Sequence, residues 1–187
     1  MIYLSKGIAR TNNINSSITV ARGDREVQLE GLEAELWLRG RSGFAEMINP
    51  SEKAALQKLE NSELIECEPK HTKDAQYYIL SRCVCCTARV NLLRAPLSRE
   101  EKTIIVWLSE AGLRLSTAEL IYLFENNVKP KAELLYEPNR QALVERIYTT
   151  NTISDNILEN QMKYAKCRDR VINMLINLLK KKRIVIL

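Results

Sequence analysis

At Leu29 the apolar period of this chain changes, and that change limits what the chain can become. Ahead of it, Ile18-Thr-Val-Ala-Arg22, a Gly23-Asp24 turn and Glu26-Val-Gln-Leu29 have the form of a β-hairpin. Beyond it, Leu29, Leu32, Leu36 and Trp37 recur at helical spacing until Gly40 and Gly43 stop the helix. The rest of the 187-residue chain alternates between helical and short extended patterns, which predicts a mainly helical α+β fold. Gly (6) and Pro (5) are too scarce for collagen-like or low-complexity classes.

The spacing places a short helical turn at Phe44–Met47 and a helix over Ser51–Leu64. It then places a strand at Leu64–Glu68, a polar turn at Pro69–Asp74 and a returning strand at Ala75–Leu80. After Ala95-Pro96, Ser98-Arg-Glu-Glu101 has the form of a capping box, and Ser116-Thr-Ala-Glu119 opens another helix. A helix from Glu137-Pro138 through Tyr148 and a long one from about Asn156 to Lys182 follow. The chain closes on the extended Ile184-Val-Ile-Leu187. A faint repeat runs through this order. Leu36-Trp37-Leu38 is similar to Val106-Trp107-Leu108, Phe44–Met47 to Thr117–Leu120, and Leu59–Cys67 to Leu178–Ile186.

Helix, short helix, helix and hairpin over residues 29–86, with the step Leu59-Glu-Asn-Ser-Glu-Leu-Ile-Glu66, resemble the winged-helix (helix-turn-helix) superfamily. The resemblance implies two tandem winged-helix-like units. Residues 1–95 would hold the hairpin and the first. Residues 96–187 would hold the second, with inserted helices around 125–158 and a truncated wing.

Charge is distributed unevenly. Residues 1–97 are near neutral and residues 98–158 are slightly acidic, while residues 159–187 hold eight Lys and Arg against two acids. Lys163, Lys166, Arg168, Arg170, Lys180, Lys181, Lys182 and Arg183 form this basic tail, and the spacing puts Lys163, Lys166 and Arg170 on one helix face. With Lys70 and Lys73 at the wing tip, these are the candidate contacts to double-stranded DNA. The resulting expectation is a non-enzymatic DNA-binding regulator or replication accessory, dimeric through the inserted helices.

A protein- or peptide-binding module is the alternative. Hairpin 17–30 before a helical unit resembles small domains that recognise leader peptides for modifying enzymes. That resemblance implies an exposed edge strand able to accept a peptide strand; a concave, uncharged groove between the hairpin and helix 51–64 would favour this reading, and a continuous positive stripe would favour DNA.

The chemistry-bearing residues point elsewhere only weakly. A single histidine, His71, rules out paired-histidine metal sites. Cys83-Val-Cys85-Cys86 would alternate across a strand, so the thiols do not converge and no metal or cofactor is expected. No phosphate-binding loop or nucleophile elbow is present, which argues against an enzyme. Five cysteines without framework spacing, no secretory pattern and no apolar run long enough to span a bilayer predict a cytoplasmic protein away from membranes.

Overall fold

The computed structural model describes residues 1–10, 17–88, 96–109, 115–130, 147 and 157–187. Among these residues the chain is mixed α and β, with three three-stranded antiparallel sheets.

In the first sheet, β1 (Ile2–Ser5) lies between β5 (Ala45–Glu46) and β6 (Ile65–Glu68). Tyr3 stands opposite both Ala45 and Cys67. All four β1 side chains are buried because the sheet is covered on both faces. Tyr3 enters a core with Leu36, Trp37, Leu56 and Leu59 of α1 (Gly31–Arg39) and α2 (Glu52–Asn61). Ile2 and Leu4 enter a second core, built on α3 (Lys73–Ser81), α4 (Arg99–Ser109), α5 (Thr117–Glu125), α6 (Ile157–Met162) and α7 (Arg168–Lys180). The alternation of a strand thus joins the two cores through one segment.

The second sheet is the meander β2 (Ile8–Arg10), β3 (Ile18–Arg22) and β4 (Arg25–Leu29). The expected hairpin is β3–β4, with Arg22 opposite Arg25 around the Gly23-Asp24 turn. Gly7 turns the chain from β1 into β2 at φ +99°, and an added Cβ there would stand 2.7 Å from Val20 Cγ1. Gly40 ends α1 against β1, where a Cβ would meet Ser5 Oγ at 2.5 Å.

The third sheet repeats the plan of the first. Its central strand β7 (Val84–Thr87) lies between β8 (Leu115–Ser116) and β9 (Ile184–Ile186). Cys85 stands opposite Leu115 and Ile186 as Tyr3 stands opposite Ala45 and Cys67. Each central strand precedes a helix carrying a fully buried tryptophan, Trp37 in α1 and Trp107 in α4. The step Leu59–Cys67 matches Leu178–Ile186 residue for residue. Glu63 (φ 57°) and Lys182 (φ 54°) take left-handed conformations after α2 and α7. Leu64 N–H then donates to Leu59 O and Arg183 N–H to Leu178 O, each at 2.8 Å. These bonds are the six-to-one closures of Schellman caps.

Four local expectations differ from the structure. Residues 75–80 form the helix α3, not a returning wing strand; the Thr72 hydroxyl accepts from Ala75 N–H at 3.1 Å and caps it. Ala75, Tyr77, Ile79 and Leu80 are then buried, and β1 takes the pairing edge of β6. Ala45-Glu46 is a strand rather than a helical turn because β1 needs a partner there, and Met47 N–H extends the pairing to Met1 O. The equivalence of Phe44–Met47 with Thr117–Leu120 accordingly sets a strand against a helix, whereas Leu115-Ser116 is the strand that matches. The long terminal helix breaks into α6 and α7 around Tyr164, where Glu125 accepts from Cys167 N–H at 3.0 Å. The helix expected at 137–148 lies outside the described residues apart from Ile147.

Candidate binding groove

The basic tail is largely engaged with the rest of the fold. Arg168 bonds Asp74 at 2.7 Å and Asp169 at 2.8 Å, and Asp169 also meets Lys73 at 3.0 Å. Lys163 donates to Tyr78 Oη at 2.5 Å and lies over its ring. Arg170 approaches Glu100 at 3.6 Å. Lys181 bonds Glu101 at 2.7 Å and Pro96 O at 3.0 Å. Lys70, Lys166, Lys180, Lys182 and Arg183 have no ion pair among the described residues. The break before α7 also separates Lys163 and Lys166 from the helix holding Arg170, so the three do not share one helix face. α7 itself is a core helix that buries Val171, Ile172, Leu175, Leu178 and Leu179, leaving Arg170, Asn173, Asn177 and Lys180 exposed.

The cysteines are set up as packing groups. Burial pushes the Cys83 thiol up to about 12. Burial and the neighbouring Glu60 do the same to Cys67, and burial and Glu125 to Cys167. Burial also raises Cys85 strongly. A thiol held protonated is a poor nucleophile and a poor ligand. Among the described residues no group of three or more His, Cys, Asp or Glu is placed to hold a metal ion. His71 lies on the surface between Glu46 and Gln76. No helix among the described residues is long and apolar enough to cross a membrane.

A groove of about 1020 Å³ lies between the second and third sheets. Ile8 and Ala21, opposite one another on β2 and β3, line one side. Cys86 and Val185, opposite one another on β7 and β9, line the other. Leu38 from the end of α1 also lines it and is 49% exposed, while Ile8 is 43% exposed. The hairpin does bound a groove, but the opposite wall is β9, not helix 51–64, and the groove is lined by cations rather than uncharged.

One wall of this groove carries the outer edge of β9, whose residues Ile184 and Ile186 are each only 2% exposed. Val84 and Leu187 exchange two backbone bonds, which fixes the alternation of the β7–β9 ladder. Ile184 and Ile186 therefore turn their backbone groups away from β7. On that side Gly7 N–H reaches Ile186 O at 2.8 Å. β9 has no strand partner there among the described residues.

Among the described residues Arg10, Arg41 and Lys182 line the groove, and no Asp or Glu side chain does. Arg10 is paired with Glu26. Arg41 is half-buried with its guanidinium 5.0 Å from the Trp37 ring centroid, and it has no carboxylate partner among the described residues. Burial lowers its pKa from the ordinary arginine value. The sequence reading passed over Ile8, Leu38 and Arg41. The signal for Arg41 lay in Gly40-Arg-Ser-Gly43, where a cation follows a helix with an outward Leu38 and no acid is near in sequence.

Comparison with known proteins gives no match to a family model, to a curated protein or to a solved structure.

Proposed function

We propose that this chain is a non-enzymatic interaction module that captures an extended peptide segment of a partner protein in the groove between its second and third sheets. The observation that carries the reading is a concavity lined by the exposed apolar side chains Ile8 and Leu38 beside the outer edge of β9. Strand addition supplies main-chain hydrogen bonds as affinity, and alternate side-chain pockets as selectivity. The pockets here would be the Ile8–Leu38 side and the Val185–Cys86 side. The architecture behind it is read as two winged-helix-like units, each with its middle strand supplied from ahead of its first helix. What supports that reading is the shared strand order and register around β1 and β7.

The test is an array of alternating valine–polar peptides probed with the full chain, beside the same peptides with N-methylated backbones. Binding is expected to the unmodified set and to be lost on N-methylation and in Val185→Asp. An array with no binder at all overturns the reading.

A second reading keeps duplex DNA as the partner. It is favoured by the exposed Arg170, Asn173, Asn177 and Lys180 of α7, which recur at helix-face spacing and include side chains suited to base edges. The pairing of Lys73, Arg168, Arg170 and Lys181 with carboxylates weighs against it, because each would exchange a protein partner for a phosphate. On this reading duplex DNA is retarded at low salt, the retardation falls steeply with added salt, and Lys166→Glu with Arg170→Glu abolishes it.

A further inference from the structure

Among the described residues, Arg41 is the one groove cation held partly out of water without a counter-charge, and a desolvated unpaired guanidinium is costly to keep. Its planar face is occupied by Trp37, so its orientation is set and its N–H groups remain available as donors. Lys182 stands on the same groove, fixed in place by the left-handed cap of α7 just before β9. Among the described residues, a segment lying along the groove beside β9 therefore runs past two unpaired cations and no side-chain carboxylate.

We propose that the peptide this groove takes is acidic, with a glutamate or aspartate side chain seated on Arg41, and that Arg41 and Lys182 set the selectivity. The inference rests on the peptide reading above. It adds to it a chemical class of partner: an extended segment alternating small apolar and acidic residues. The apolar members would face Ile8, Leu38 and Val185, and the acidic members would face the two cations.

The experiment is fluorescence anisotropy on the full chain with three labelled peptides, in which valine alternates with glutamate, glutamine or lysine. The glutamate peptide is expected to bind at least about tenfold more tightly than the glutamine peptide, the scale of one charge-assisted hydrogen bond. The lysine peptide is expected to bind most weakly. Arg41→Gln should erase the preference for glutamate over glutamine, and Arg41→Lys should restore part of it. Because Arg41 packs on Trp37, Lys182→Glu provides a second variant on an exposed side chain. Glu63 adopts the equivalent backbone conformation, so this substitution brings no new strain. It should weaken the glutamate peptide and strengthen the lysine peptide.

Equal binding of the glutamate and glutamine peptides sinks the acidic assignment and leaves peptide capture standing. Absence of binding to all three sinks both. Displacement of bound peptide by duplex DNA in an Arg41-dependent manner would give the groove to nucleic acid and overturn the proposal. Concentration-dependent dimerisation abolished by Lys182→Glu would give it to a second copy of the chain and overturn it equally.

Discussion

The Glu101 carboxylate accepts three hydrogen bonds from two donors, on a side chain that is almost wholly out of water. Lys181 Nζ reaches both of its carboxylate oxygens, and Ser98 N–H donates at 2.7 Å while the Ser98 hydroxyl accepts from Glu101 N–H at 3.1 Å. Burial alone would raise the carboxyl pKa. The bonds from Lys181 and Ser98 outweigh it and hold the group below its ordinary value. Glu52 is in the same position, with burial opposed by Arg39 and by Ile48 N–H. A carboxylate with its pKa held down contributes stability that is in full force at neutral pH. That contribution is lost as pH falls through the folded-state value, below the usual carboxylate range. Glu101→Gln removes the charge and leaves the Lys181 ammonium without its partner, at a cost of about 2 kcal/mol at pH 7. Urea titrations of the two proteins should show that gap at neutral pH and a smaller one in acid. A gap that stays constant with pH would remove Glu101 from the acid response.

At the scale of elements, caps settle where helices stop. Lys182 takes a left-handed conformation that a side chain disfavours and glycine does not. Lys182→Gly should stabilise the chain by about 0.5–1 kcal/mol in thermal denaturation, while weakening any acidic ligand of the groove. Lower thermal stability of this variant would contradict the cap assignment. Elements whose cause is local were legible in the sequence. The β3–β4 hairpin was marked by Gly23-Asp24, the capping box of α4 by Ser98/Glu101, and the start of α5 by Ser116-Thr-Ala-Glu119, which the structure shows to be a capping box too. The α2-to-β6 and α7-to-β9 steps were aligned in the sequence as they stand in the structure. α3 was not legible, because Tyr77-Tyr-Ile79 favours a strand locally and burial against α7 and β6 decides for helix. The pairing of β6 with β1, rather than with the segment just after it, is equally a tertiary outcome. The groove was hidden for the same reason: β2, the end of α1, β7 and β9 meet there from positions scattered along the whole chain.

At the scale of the molecule, β1 couples the two cores, with Tyr3 in one and Ile2 and Leu4 in the other. α3, which precedes residue 96, packs against α7, which follows it. The chain should therefore unfold as one cooperative unit. Trp37 lies in the first core and Trp107 in the second, so Trp37→Phe and Trp107→Phe each leave one fluorescent reporter. Denaturant transitions read by fluorescence and by far-ultraviolet dichroism should coincide within each variant. Two separated transitions would show that the cores melt independently.

The placement of β1 and β7 as middle strands has a kinetic consequence. Each forms its sheet with a strand far downstream: Ser5 with Ile65, and Thr87 with Ile184. Neither sheet can close until a long stretch of chain has been gathered, so folding is expected to be slow for a protein this helical. Lengthening the second excursion relative to the first adds only about 0.4 kcal/mol to the entropy of closure. The interval between α5 and α6 is therefore where this architecture can absorb additional sequence most cheaply, since the sheet it must finally close hardly registers the extra length.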